Sequence, residues 1–351
     1  MNNVKKVIIG LVMSFIMVYI LKSCVNSNTY SNNGYKGGLA KVGVAIYKYD
    51  DEFMRYIRNS MENDAYGRIA LNMNDSQNDQ SIQLRQVDEM ISKGVRALAI
   101  NLVDPKAAEA VIDKAKEAKL PIIFFNKEPE ESVLNSYDKV WFVGTDSKQS
   151  GILQGKMIVD LWNENKNIWD RNHDGKLSYV LLRGEPGHPD AEARSKYVLE
   201  EIVKAGINVE ELAEGTAMWD AAKAKDKMDG WISKFNDRIE FVISNNDVMA
   251  LGALDSLEKA GYLSENKFIP VVGIDAIPDA VKRIKEGTMV GTILNDASKQ
   301  GKATIDLVTN VANGKNIVSG TSWKLNKNKY VRIDYVTIIK DNTDVADQAY
   351  K

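Results

Sequence analysis

Residues 184–194 read Gly-Glu-Pro-Gly-His-Pro-Asp-Ala-Glu-Ala-Arg and gather an imidazole, a carboxylate and a guanidinium in one short stretch. His188 is one of only two histidines in the chain. The apolar run Tyr179, Val180, Leu181, Leu182 before it reads as a buried parallel strand. The amphipathic pattern over residues 193–203 reads as a helix. Gly184, Pro186, Gly187 and Pro189 interrupt regular structure between the two. Asp190 then falls at the helix start, and Arg194 lies on the same face. Open α/β sheets bind ligands at such strand ends. The plainer alternative is a cap and an ion pair on a solvated surface.

The same residue types stand past the other apolar runs. Asp50, Asp51 and Phe53 follow residues 42–46, and Asn126 follows residues 121–125. Asn245, Asn246 and Asp247 follow residues 241–243, Asp275 follows residues 271–274, and Asn295 follows residues 290–294. Carboxylates accept from hydroxyls, and each amide both donates and accepts, so the set suits a neutral polyol. Phe53 and Trp219 offer flat surface for the apolar faces of a sugar ring. Asp and Asn at strand ends also serve as caps and turn formers, which is the competing account of any one position. No Gly-rich phosphate loop or dinucleotide fingerprint is present.

Residues 170–178 read Asp-Arg-Asn-His-Asp-Gly-Lys-Leu-Ser. Asp170, Asn172 and Asp174, followed by Gly175 for the turn and the Lys176 carbonyl, match the start of an EF-hand calcium loop. The bidentate acid that should follow is absent, because Leu181 occupies its place, so a remote carboxylate must close the site. Ser178 is a short ligand. A polar turn without metal is the alternative; with calcium, the loop would be a structural clamp.

Short apolar strands at 42–46, 69–73, 97–100, 121–125 and 141–144 alternate with helical patterns, among them 53–62 and 107–118. The alternation resumes with a helix at 151–163 and strands at 179–182, 241–243, 271–274 and 290–294. Helices are predicted over 221–233, 249–260, 276–285 and 299–312, with a closing strand over 335–339. This is an α/β fold: two doubly wound parallel-sheet lobes with a cleft between them. A chain of 351 residues is long enough for two such cores. The net charge of −2 argues against a nucleic-acid partner.

One cysteine excludes an intrachain disulfide. Lys5 and Lys6 precede an apolar run of roughly 15 residues, short for a membrane span and typical of a signal-peptide core. It ends Leu21, Lys22, Ser23, Cys24, which resembles a bacterial lipoprotein box, although Lys22 replaces the usual small residue. The resemblance implies that residues 1–23 are a lipoprotein signal peptide. On processing, Cys24 would become the lipidated first residue of an exported, membrane-anchored protein, periplasmic or at the cell surface. Residues 24–40, rich in Asn, Ser and Gly, form a flexible tether. The alternative is an uncleaved anchor helix.

Residues 42–339 resemble the bacterial periplasmic galactose/glucose-binding proteins, type I solute-binding proteins of ABC sugar importers. The stretches that carry the likeness are 46–51, 73–81, 101–105, 124–129, 184–194, 217–220 and 294–297. The resemblance implies that Asp51 accepts from the hydroxyl that separates galactose from glucose, and that Phe53 and Trp219 sandwich the ring. It implies polar sugar contacts from Asn126, His188, Asp190, Arg194, Asn246, Asp275 and Asn295. It also implies Glu240 as the remote calcium ligand, joining Asp170, Asn172, Asp174, Lys176 and Ser178, where the family usually has glutamine. The implied fold is the type I periplasmic-binding-protein fold with a three-crossover hinge. Lobe 1 would be residues 41–145 and 296–330, lobe 2 would be 146–295 and 331–345, and 346–351 a tail. Implied partners are D-glucose or D-galactose and the membrane permease of an ABC importer, with a chemoreceptor as a second candidate reader of the closed form. Monomer is the default state.

Two other classes compete with a binding protein. A glycosidase-like enzyme would use Asp190 and Asp275 as paired carboxylates, but Arg194 beside Asp190 would keep that acid ionised. A transcriptional regulator on this fold would need a helix-turn-helix at its start, where an export signal stands instead. A binding protein for another monosaccharide is the nearest alternative.

Overall fold

A computed structural model describes residues 38–264 and 267–350. The predicted signal peptide, Cys24 and nearly all of the tether lie outside the described residues. No helix among the described residues is long and apolar enough to cross a membrane.

The first lobe begins with β1 (Lys41–Ile46), α1 (Glu52–Ala65), β2 (Ala70–Asp75), α2 (Gln80–Ser92) and β3 (Ala97–Ile100). It continues with α3 (Ala108–Glu117), β4 (Ile122–Phe125), the short α4 (Glu131–Leu134) and β5 (Val140–Gly144). These strands pair in parallel in the order β2, β1, β3, β4, β5. Both β3 and β4 are buried along their whole length, which is why their sequences are apolar without alternation. In α1, Phe53, Met54, Ile57, Met61 and Ala65 recur at helical spacing and face the core. Burying side chains the size of Ile57 and Met61 contributes roughly 1.5–3 kcal/mol each.

After Thr145 the chain enters the second lobe with α5 (Ser147–Glu164), α6 (Lys166–Trp169), β6 (Lys176–Arg183), α7 (Pro189–Lys204) and β7 (Asn208–Thr216). Then come α8 (Ala221–Phe235), β8 (Phe241–Ser244), α9 (Asp247–Lys259), β9 (Val271–Val272), α10 (Pro278–Lys285) and β10 (Thr292–Leu294). The parallel order is β7, β6, β8, β9. Bridges from Val272 to Gly291 and from Asp275 to Leu294 continue it to β10.

Next, α11 (Ala297–Ala312) packs on α1 of the first lobe, and β11 (Tyr330–Arg332) adds a sixth strand beside β5. The chain returns with β12 (Val336–Ile338), antiparallel to β10, and α12 (Thr343–Ala349). Among the described residues it therefore crosses between lobes near 145–146, 295–296 and 333–335.

Four expectations need correction. Val331 belongs to the first lobe, because Tyr330, Val331 and Arg332 pair with Phe142, Val143 and Gly144, so the third crossing lies after Arg332. The segment from 346 is not a free tail: Ala346 and Ala349 are buried in the second lobe's core, and Lys285 holds Asp347 at 2.8 Å. The helix after the His188 loop starts at Pro189 rather than 193, with proline in its first turn, where a missing N–H costs nothing. Finally, β7 was not expected, because an edge strand carrying Glu210, Glu211 and Glu214 lacks the apolar run that marks a buried one.

Candidate functional site

The strand ends of both sheets meet around one cavity with an empty volume of about 340 Å³. From the first lobe it is lined by Tyr47, Asp51, Phe53, Met54 and Asn126. From the second come His188, Asp190, Arg194, Trp219, Asn246, Asp275 and, at the crossing, Asn295. All ten residues expected at a ligand site are thus brought to one place. Tyr47 and Met54 were missed, although Tyr47 stands directly past the end of β1 and the strand-end argument reaches it.

Across the cavity mouth, Glu185 of the second lobe lies 3.5 Å from the Asn78 amide and 3.8 Å from the Lys127 ammonium of the first. The lobes are therefore closed on each other. Lys127 is buried over the Tyr47 ring at 3.6 Å, and burial lowers its pKa to about 8.

Several cavity residues do two jobs. Asp51 caps α1 by accepting from the Met54 N–H at 2.8 Å, and its other oxygen accepts from the Tyr47 hydroxyl. Asn246 caps α9 by accepting from the Met249 N–H at 3.0 Å. The Asn126 amide oxygen accepts from the Asn101 amide at 3.2 Å. His188 caps α7, its Nδ1 accepting from the Asp190 N–H at 3.1 Å. Burial, reinforced by the Lys127 charge, lowers the His188 pKa to about 3. The ring is therefore neutral at physiological pH. With Nδ1 accepting, its proton sits on Nε2, which makes that nitrogen a donor. Capping therefore leaves these side chains in the cavity lining.

Arg194 is buried and organises the second-lobe half. Its Nη2 lies 2.9 Å from Asp190 and 3.6 Å from Asp275, and its Nη1 donates to the Asn245 carbonyl at 2.8 Å. Burial works against the Asp190 carboxylate, but the Arg194 charge and the Ser147 hydroxyl outweigh it, so its pKa falls below the ordinary value. Asp275 goes the other way: burial dominates, Arg194 is more distant, and the pKa rises well above the ordinary carboxylate range. The Asn295 amide donates to Asp275 at 3.1 Å. The Arg194 Nε–H has no partner in the protein.

Trp219 lies against the end of β6, where a Cβ on Gly184 would overlap its indole ring. Its ring meets His188 edge to face at 5.1 Å. Behind Arg194, the Tyr335 hydroxyl accepts from Thr145 at 2.8 Å and from Arg194 at 3.4 Å. Tyr335 and Thr145 come from the third and first crossings, so the site and the hinge share hydrogen bonds. No spacing in the sequence signals that contact.

The 170–178 loop turns at Gly175, whose φ is 79°. Asp170 is buried, with one oxygen accepting from the Gly175 N–H at 3.0 Å and the other without a protein partner. Asn172 and Asp174 accept from loop N–H groups at 3.0 and 2.8 Å. Glu240 spans the loop, accepting from the N–H groups of Arg171 and Ser178 at 2.8 Å each. Burial raises its pKa. The Ser178 hydroxyl donates to Glu210 of β7 at 3.3 Å. Among the described residues, no three His, Cys, Asp or Glu side chains are gathered into a ready ion site.

A family profile for the periplasmic binding protein domain matches residues 42–316. The chain belongs to the periplasmic binding proteins. Within this family it is 52% identical, over 306 residues, to the D-galactose/methyl-galactoside binding periplasmic protein MglB of Haemophilus influenzae. That match covers 86% of this chain and 90% of the relative. A xylitol-binding protein of Mycolicibacterium smegmatis is 29% identical over 330 residues, covering 93% of this chain and 83% of its own. Among solved structures, an ABC transporter solute binding protein from Bacillus halodurans with bound myo-inositol superposes with a TM-score of 0.76 at 28% identity. It covers 89% of this chain and 99% of its own.

Proposed function

We propose that this periplasmic binding protein captures D-galactose or D-glucose between its lobes and delivers the sugar to the permease of an ABC importer. One observation carries the reading: a single cavity to which each lobe contributes a carboxylate, an amide and an aromatic face. Asp51 and Asn126 would bind hydroxyls from one side, and Asp190, Asn246, Asp275 and Asn295 from the other. The neutral His188 would donate from Nε2, and the unpartnered Arg194 Nε–H would donate as well. Phe53 and Trp219 would cover the ring faces. Hydroxyl donors would favour the ionised form of Asp275, whose charge burial disfavours. Contacts from both lobes stabilise the closed form relative to the open one, and the permease reads that closure. The 52% identity to a galactoside-binding protein supports the sugar class.

Titration calorimetry against a panel of monosaccharides tests this directly. Micromolar or tighter binding of one or both hexoses is the expected result, and no heat with either sinks the assignment. Turnover of aryl glycosides by purified protein would instead favour a glycosidase; the ionised Asp190 on Arg194 is a poor proton donor and argues for binding alone.

We also propose that Asp170, Asn172, Asp174, the Lys176 carbonyl, Ser178 and Glu240 hold a structural calcium ion. The orphaned buried oxygen of Asp170 and the reach of Glu240 across the loop support this set. Lipidation at Cys24 is part of the same reading, since the residues before it resemble a lipoprotein box. Mass spectrometry of the mature protein should find an acylated Cys24 at its N-terminus, and an unacylated Cys24 would refute the lipid anchor.

A further inference from the structure

Tyr350, one residue past α12, is not among the residues that line the cavity, yet it touches both lobes. Its hydroxyl donates to the backbone carbonyl of Asp275 at 2.8 Å and lies 3.5 Å from that of Asn295. Its ring meets Tyr56 of α1 edge to face, with centroids 4.8 Å apart at 77°. The ring packs against the cores of both lobes.

The Asp275 backbone needs such support. Its φ is 122° and that of Ala276 is 56°, so two consecutive side-chain-bearing residues sit at positive φ. That conformation is costly for residues with a Cβ and persists only where the surroundings hold it. The Asp275 N–H is fixed by the Ile293 carbonyl at 2.7 Å. Its carbonyl accepts a long bond from the Asn295 N–H at 3.3 Å, which leaves the Tyr350 hydroxyl as its shorter partner. Tyr350 is itself anchored from the second lobe, through buried Ala346 and Ala349 and the ion pair between Lys285 and Asp347.

We propose that Tyr350 is a positioning residue for sugar binding, holding the strained Asp275 acceptor while its ring latches the second lobe onto Tyr56 of the first. The hydroxyl acts within the second lobe and sets where the Asp275 carboxylate points. The ring acts between lobes, because Tyr56 moves with Phe53 on α1 whereas Asp275 moves with the second sheet. The contact therefore forms on closure and breaks on opening, and it belongs in the sugar dissociation rate. A purely structural role predicts something else: loss of stability with or without sugar, and no selective change in dissociation.

The proposal rests on the hexose reading, and one experiment separates the two. Wild type, Tyr350→Phe and Tyr350→Ala of the full exported chain are compared by calorimetry and stopped-flow fluorescence with D-glucose and D-galactose. Melting is followed without sugar. Removing the hydroxyl should weaken binding by about 3- to 10-fold, and removing the ring as well by about 10- to 50-fold. Both losses should appear in the dissociation rate, with association within about twofold; the sugar-free melting temperature of Tyr350→Phe should fall by no more than about 2–4 °C, the worth of one lost hydrogen bond. Tyr56→Ala should weaken the wild type but add little on top of Tyr350→Ala. If wild type binds a hexose and both Tyr350 variants bind it as tightly, the positioning role is overturned and the hexose reading stands. Losses that merely follow a lowered sugar-free melting temperature overturn it too. A wild type that binds neither sugar overturns both.

Discussion

The two halves of the cavity solve one chemical problem by different means. In the first lobe, Asp51 is a helix cap at a strand end, its oxygens held by the Met54 N–H and the Tyr47 hydroxyl. Its charge is met by local dipoles and a phenol. In the second lobe, Asp190 and Asp275 are buried around a single buried guanidinium, with Arg194 at 2.9 and 3.6 Å. There the charges hold one another, and their pKa values move in opposite directions. A cap-held acid can be altered with mostly local consequences, whereas a buried ionic cluster fails as a unit.

The strongest way to break this contrast is Arg194→Ala. It strands two buried carboxylates and should cost about 3–5 kcal/mol of stability as well as abolish sugar binding. Thermal unfolding and calorimetry measure both, and a stable variant would show that the cluster is not coupled. Asp51→Ala should instead cost roughly 2–4 kcal/mol of sugar affinity but only about 1 kcal/mol of stability, from the lost cap. An unchanged dissociation constant would remove Asp51 from the site.

Calcium sharpens the comparison, because its proposed loop braces only the second lobe. Chelation should lower the melting temperature by a few degrees, about 1–3 kcal/mol, and Asp170→Ala should abolish that response. A melting curve indifferent to chelator would refute the ion. The smallest effect is the pH dependence of His188, whose pKa falls from 6.5 unfolded to about 3 folded. Between those values the unfolded chain binds more protons, so stability is full above about 6.5 and declines as pH falls toward 3. Because solvent partly reaches His188, the decline should fall short of the full shift. His188→Asn keeps a capping side chain without a titrating ring and should flatten the curve in that window; an identical slope would assign the acid loss to other groups.

Much of this fold could be read directly. The runs 97–100 and 122–125 are buried on both faces, so burial alone dictates their composition. What escaped was structure specified by partners rather than by local pattern. The edge strand β7 is charged because one side has no neighbour. The three residues of β11 pair with β5, nearly two hundred positions earlier in the chain. Lys127 was passed over because a lysine reads as exposed until the Tyr47 ring and Glu185 enclose it.

The loop at residues 184–194 shows where the division lies. Sequence by itself determined that an imidazole, an acid and a guanidinium stand at a strand end, that Asp190 and Arg194 share a helix face, and that glycine and proline make the turn between. Those are consequences of backbone geometry within a few residues. Only the tertiary structure decided that Arg194 also reaches Asp275, that His188 is buried beside Lys127 and neutral, and that Thr145 and Tyr335 tie the cluster to the hinge. Each depends on desolvation and on groups brought from distant positions, and neither is encoded in local spacing.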